Sequence, residues 1–377
     1  MLEQYEHSQD FYRITVVADP EKTRVLIDTA VQSGVKQVFV VKGRGIMHKK
    51  KIGIISVSGI SPSFDMLNVI VTKPHLESVM RALVQAGRLN LFGAGAIYAA
   101  RIQDMWFHGT QPFTPTSTPT PPAAENGVEL QRDLVAINCI CQLGHAEDIA
   151  RETMMAGSPS PVISFGYGHG IRDRLGFFLQ LTINPKKEII NLVVGSAESE
   201  RFFEEMVEAG HLDQPAQGFI YTSPVEVGLI NTMSFHNTSL YPATMEQIIK
   251  AIDQIQGNTN WRHSGSVQHV TTKKRKMLHN LVSLNCIVPR GFGDITSMVA
   301  MEAGAGGTST AYANAFPVLK GATHHLEGSD EREMIALTIG EGQVQPVVKA
   351  IASMTELAET PVLLFAYPAP QALTYLK

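Results

Sequence analysis

Val38-Phe39-Val40-Val41-Lys42-Gly43-Arg44-Gly45 is an apolar run with β-branched residues that ends in a glycine pair. Sliding the chain against itself by 123 positions, from residue 43 to residue 166, lays Gly43-Arg44-Gly45 on Gly166-Tyr167-Gly168. The same offset puts Gly34 on Gly157, Val84 through Leu89 on Val207 through Leu212, and Gly95-Ala96-Ile97-Tyr98 on Gly218-Phe219-Ile220-Tyr221. One ungapped offset shared by four separated landmarks points to a duplicated unit. A second offset of 147, from residue 138 to residue 285, lays Asn138-Cys139-Ile140 on Asn285-Cys286-Ile287 and Ala156-Gly157 on Ala303-Gly304. Gly166 and Gly168 then fall on Ala313 and Ala315, so the last copy keeps small residues but not the glycines. After a three-residue slip, Tyr221 through Pro224 meets Phe365 through Pro368.

Composition bounds the reading. At about 150 residues per domain, 377 residues predict two or three domains. With 44% hydrophobic and 18% charged residues, the chain has enough apolar material for packed cores and is not a disordered polymer. A net charge of -4 gives no general electrostatic case for nucleic acid. Cys139, Cys141 and Cys286 each lie in apolar runs, which is no disulfide framework and fits a reducing compartment. The amino-terminal MLEQYEHSQD lacks a basic-then-apolar signal, and no run approaches the roughly 18 apolar residues that would span a membrane. The expectation is a soluble, cytoplasmic protein.

The repeats predict domains at 11–108, 133–236 and 279–377, joined by a Thr/Pro-rich linker (109–132) and a connection with a short helix (237–278). In the first copy, Ile14 to Val17 reads as a strand, the spacing through Val25, Leu26, Ala30 and Val31 as a helix ended by Gly34, and Val38 to Val41 as a second strand. Ile52 to Ile55 and Met66 to Val71 read as a hairpin, then Leu76 to Ala86 as a helix and Ala96 to Ala100 as a last strand. In the middle copy the corresponding hairpin is Phe177 to Leu181 with Ile189 to Val194. Strand-helix-strand twice over is the ferredoxin-like βαββαβ order, an α+β class with an antiparallel sheet. Helices cover one face of such a sheet, and three copies can bury the other faces against each other. The expected body is an intramolecular pseudo-trimer.

These residues resemble the PII signal-transduction superfamily, whose members are trimers of ferredoxin-like subunits with nucleotides bound between subunits. Val41-Lys42-Gly43-Arg44-Gly45 is similar to the family's Lys-Gly-x-Gly turn at the start of the T-loop. Ala86-Gly87-Arg88-Leu89 with Gly93-Ala94-Gly95-Ala96-Ile97-Tyr98 is similar in pattern and place to its phosphate-binding B-loop. Gly218-Phe219-Ile220-Tyr221-Thr222-Ser223-Pro224-Val225-Glu226 looks like its final strand. The B-loop lysine is replaced by Ala96 and Phe219, and the last copy has neither glycine pair. The resemblance implies a small anionic effector, an adenine nucleotide (ATP, ADP or AMP), and a regulated partner protein, a membrane transporter or an enzyme. It implies neither nucleic-acid binding nor membrane insertion.

Glycine admits φ > 0 and lets backbone N–H groups approach a phosphate. Gly43, Gly45, Gly93 and Gly95 are therefore the candidate anion cradle of the first copy, with Arg44 or Arg101 supplying charge. Gly166, Gly168, Gly218 and His169 are the candidates of the middle copy, and the competing reading is that all these glycines serve tight turns. Unequal clefts predict fewer than three ligands. Met47 to Lys51, with Arg172 and Arg174, reads as solvated loop or anion-steering charge. Lys273-Lys274-Arg275-Lys276 reads as solvated linker, and Gly304 to Thr310, which lacks Gly-Lys-Ser/Thr, as a loop. His324-His325 beside Glu327, Asp330 and Glu331 is a poor metal pattern, because adjacent strand residues face opposite ways. No nucleophile-base pattern or Cys-x-x-Cys is present, so no metal and no enzyme are expected. The alternatives are a scaffold with degenerate clefts and a metal-handling protein like the copper-tolerance trimers.

Overall fold

Runs rich in Val, Ile and aromatic residues become strands here, and segments with apolar spacing of three and four become helices. The computed structural model describes residues 5–46, 50–52, 55–57, 62–109, 111–114, 129–170, 185–232, 252–255, 257, 275–317, 330–354, 357 and 360–375. The first unit follows a short strand β1 (Glu6–Ser8) and comprises β2 (Phe11–Ala18), α1 (Thr23–Gln32), β3 (Gln37–Arg44), β4 (Lys50–Ile52), β5 (Ile55–Val57), β6 (Ser63–Thr72), α2 (Leu76–Gly87) and β7 (Gly95–Arg101), trailed by β8 (Asp104–His108). The second comprises β9 (Leu134–Gln142), α3 (Ala146–Met155), β10 (Val162–Gly170), β11 (Lys186–Gly195), α4 (Ser196–Gly210) and β12 (Gly218–Val225), trailed by β13 (Val227–Asn231). The third comprises β14 (Leu281–Pro289), α5 (Gly293–Glu302), β15 (Gly307–Pro317), β16 (Asp330–Gly340), α6 (Val344–Ala352) and β17 (Val362–Ala369), trailed by β18 (Ala372–Thr374).

The sheet orders are β3-β6-β2-β7, β10-β11-β9-β12 and β15-β16-β14-β17, all antiparallel, which is the ferredoxin-like arrangement. The helices α1, α3 and α5 each stop at a left-handed glycine: Gly34 (φ 102°), Gly157 (φ 106°) and Gly304 (φ 112°).

Each trailing strand leaves its own sheet and pairs with the last strand of another: β8 with β17, β13 with β7, and β18 with β12. The equivalent pairs are Met105 with Phe365, Gly228 with Tyr98, and Ala372 with Tyr221. The second strands also meet in a closed triangle, β3 with β10, β10 with β15, and β15 with β3. Ser164 opposes Gly43 and Gly166 opposes Ala311, so removing the sequence offsets puts both junctions in one register. Asn314 opposite Val40 fits the same register at the third.

Strand alternation gives each sheet two apolar faces. In β2, Ile14 and Val16 pack under Leu26, Ile27, Val79, Met80 and Leu83 of α1 and α2. The other face, with Val17, joins Val41, Ala96 and Tyr98 and meets Ala136, Val193 and Val225 of the second unit and Ala313 of the third. Strands buried on both sides read as largely hydrophobic runs, and β2 does so except at Arg13 and Thr15.

Several expectations are corrected. Met66 to Val71 is in β6, but β6 pairs with β3 and β2, while β4 and β5 pair only with each other. The central sheet thus takes the longer pairing that covers both edges of β6. Gly307 to Thr310 opens β15, because the chain extends directly after the Gly304 stop. The start of the Thr/Pro stretch is not free linker: Phe113 is buried, and Lys36 and Thr114 amides donate to the Pro112 and Gly34 carbonyls at 2.9 and 3.0 Å. Arg275 is not solvated: its side chain, only 8% exposed, pairs with Glu204 and Glu208 of α4 and with Asp213 just beyond it. The hairpin strand at 177–181, Arg172, Arg174, His324, His325, Glu327 and residues 47–49 lie outside the described residues, as does most of the helix expected in 237–278.

Candidate functional site

Three buried carboxylates stand at matched places of the three sheets, and one of them, Glu188, takes a cation from another unit. Asp65, Glu188 and Glu333 oppose Ala18, Cys141 and Val288 in the register of their sheets. Glu188 accepts the amides of Gly144 (2.8 Å) and Ala146 (3.0 Å), and Glu333 accepts those of Gly291 (3.1 Å) and Gly293 (2.5 Å). Each carboxylate so caps the positive end of α3 or α5 and satisfies donors that the helix leaves unpaired. The shorter Asp65 instead takes the Thr23 hydroxyl (2.5 Å) and Lys42 Nζ (2.8 Å).

The three junctions differ. Between the first and second units, Arg44 reaches across to Glu188 (2.9 Å) and lies 3.6 Å from Glu147. Between the second and third, an aromatic pair stands in the matched place: Tyr167 meets Tyr312 edge-on, centroids 5.6 Å apart. Tyr312 is 44% exposed, with the Arg290 guanidinium 4.9 Å over its ring. Partial burial first, then the neighbouring Tyr167 and Glu333, hold the Tyr312 phenol above its ordinary range, so it stays protonated. His169 Nε2 lies 3.2 Å from Asp294 without hydrogen-bond alignment. Between the third and first units is a small recess of about 30 Å³ lined by Gln37, Phe39, His108, Asp330 and Arg332 among others.

The glycines expected to cradle an anion do other work. Gly43 and Gly45 do not form a joint cradle with Gly93 and Gly95, because β3 and β7 are the opposite edges of their sheet, about 14 Å apart at the usual strand spacing. Gly43 lies inside β3, where a Cβ would stand 2.8 Å from Val162 Cγ1 and 3.2 Å from the Ile163 carbonyl oxygen of β10. Gly166 likewise lets β10 approach β15, a Cβ there falling 2.8 Å from the Thr310 carbonyl oxygen. Side chains at Gly95 and Gly218 would strike the Val17 and Ile140 carbonyl oxygens, and Gly93 (φ 75°) makes the turn before β7. Gly45 packs on Phe64, and Gly168 lies beside the Lys187 side chain. Arg44 is committed to Glu188. Arg101 ends β7, so it lies at the opposite end of that strand from Gly95. Of these candidates, only His169 and the glycines on either side of Tyr167 lie next to the aromatic pair in the chain.

A group that residue-by-residue reading missed lies at the centre. A cavity of about 100 Å³ is lined from all three units, by Arg13, Thr15, Asn68 and Tyr98, by Asn138, Asn191 and Tyr221, and by Asn285 and Tyr367 among others. The signal was Arg13 itself, a lone charge inside the run Phe11-Tyr12-Arg13-Ile14-Thr15-Val16-Val17. Among the described residues, no cluster of three or more metal-ligating side chains occurs, and no helix is long and apolar enough to cross a membrane.

No family model and no curated protein matches this chain. Among solved structures it is similar to Arabidopsis thaliana PII bound to citrate, with 18% identity, 26% of this chain and 78% of that one covered, and a TM-score of 0.21. It is also similar to aspartate kinase from Synechocystis, with 10% identity, 96% of this chain and 44% of that one covered, and a TM-score of 0.21. At such scores neither likeness bears weight, and the ferredoxin-like topology rests on the strand pairings themselves.

Proposed function

We propose that this chain is a non-enzymatic, PII-like regulatory protein folded as an intramolecular pseudo-trimer of units spanning 11–108, 133–236 and 279–377. A small anionic effector binds between units, and the segments following Gly45 and Gly168 carry its signal to a partner protein. The observation that carries this reading is the repeated register: the same strand exchange and the same second-strand contact recur at each junction. The junction of the second and third units is the best effector site. Tyr312 and Tyr167 offer an aromatic platform for an adenine base, with His169 and Arg290 beside it for phosphate, the solvent-exposed ion pair of Arg290 with Glu331 opening to release the guanidinium. A ligand there changes the protein only if it prefers one arrangement of the adjoining segments.

A thermal-shift screen with ATP, ADP, AMP and cyclic nucleotides tests this. At about 100 times its dissociation constant a ligand adds about 2.7 kcal/mol to the native state. One nucleotide is expected to shift melting, with fewer than three bound per chain, and Tyr312→Ala to weaken it about 5- to 150-fold, the effect of losing one base stack. A cooperative melt unmoved by every nucleotide favours the second reading, a scaffold. That reading draws on Arg44, whose charge is already neutralised, and on glycines spent on strand contact.

A further inference from the structure

The central cavity contains a charge without a counter-charge. Arg13 is the one charged side chain in its lining, which has no carboxylate. The residue keeps some accessible surface, but its Nε is sealed from solvent and has no hydrogen-bond partner among the described residues. The guanidinium hydrogen-bonds the Tyr367 phenol and lies 4.9 Å from the Tyr367 ring centroid and 5.9 Å from that of Phe365. Such contacts return only part of what it costs to take a lone cation out of water. Burial pushes the phenols of Tyr98 and Tyr221 above their ordinary range, so neither supplies a negative charge at neutral pH. Asn138 and Asn285, at matched positions of β9 and β14, add amide donors to the same lining.

We propose that this cavity is a binding site for one small oxyanion, of the size of inorganic phosphate or acetate, neutralised by Arg13 and hydrogen-bonded by the surrounding phenols and amides. The volume of about 100 Å³ admits such an ion or several waters. The positions matching Arg13 are Ala136 and Ser283, so the pocket carries one positive charge and takes one anion. This site is separate from the nucleotide reading of the junctions and stands or falls without it.

The test uses the full chain dialysed into anion-poor buffer. Equilibrium dialysis with inorganic phosphate and, separately, acetate is expected to find saturable binding of one ion per chain. Binding of phosphate alone identifies a phosphate-type ligand, and of acetate alone a carboxylate; either supports the site. Arg13→Met, similar in length and uncharged, is expected to melt cooperatively, to lose the anion-induced rise in melting temperature at least 10-fold in concentration dependence, and to keep any response to nucleotide. Saturable binding of neither ion, or an unchanged anion response in Arg13→Met, overturns the proposal. Should that variant not fold, the wild-type dialysis decides alone.

Discussion

Glu188 shows how much one residue can hold. Its side chain is 2% exposed, caps α3 and takes the Arg44 guanidinium of another unit. Removing Glu188 leaves the Gly144 and Ala146 amides unpaired and Arg44, 25% exposed, with only Glu147 at 3.6 Å; at about 1–3 kcal/mol per unsatisfied group the loss is about 3–5 kcal/mol. Glu188→Ala is therefore expected to lower stability by that amount in urea unfolding, and Glu188→Gln, which still accepts the Gly144 and Ala146 amides, by less. Arg44→Met is expected to cost less than Glu188→Ala, because the helix-end amides remain satisfied by the carboxylate. The role was hidden in the sequence, where Arg44 sits between glycines like a phosphate ligand. Its true partner is 144 residues away, and only the fold brings them together.

At the scale of elements, the alternation of strand and helix was legible because periodicity follows directly from local geometry. The purpose of the glycine pairs was not, because turn, phosphate contact and close strand approach all call for the absence of a Cβ. The last copy held a clue, since Ala313 and Ala315 preserve smallness but not freedom of φ. Gly166 and Gly168 separate the alternatives. A methyl at Gly166 meets the Thr310 carbonyl oxygen (2.8 Å), which cannot move without parting β10 from β15. A methyl at Gly168 has the Lys187 side chain as its nearest neighbour (2.9 Å), a flexible stem that can shift while its Nζ stays bonded to Gln142. Gly166→Ala is expected to cost about 1–3 kcal/mol in unfolding measurements, and Gly168→Ala much less. Equal loss of stability in both would remove the packing explanation.

For the whole molecule, the telling feature is that no sheet is finished by its own unit. The ferredoxin-like order was readable from element sequence alone, whereas the trailing strands β8, β13 and β18 are short and carry no long apolar run to announce them. Deleting residues 371–377 removes β18, which pairs with Phe219 to Tyr221, and the Gln371 carbonyl that accepts the Thr222 amide. Hydrogen exchange is expected to quicken in β12 of the second unit and to change less in β17, the nearer strand in sequence. The reverse pattern would mean that the exchange of strands contributes little.

That exchange also sets an order of birth. As the polypeptide leaves the ribosome, β7 has no outer neighbour until residues 227–231 are made, and β8 waits for residues 362–366. Pairings between such distant segments form slowly, because a long chain must first be closed. Nascent forms therefore carry bare strand edges for most of synthesis, the kind of surface that chaperones shield and that joins neighbouring chains if left alone. A three-subunit assembly would meet that hazard by collision between finished subunits. Here the remedy is written into the same chain, and it arrives last.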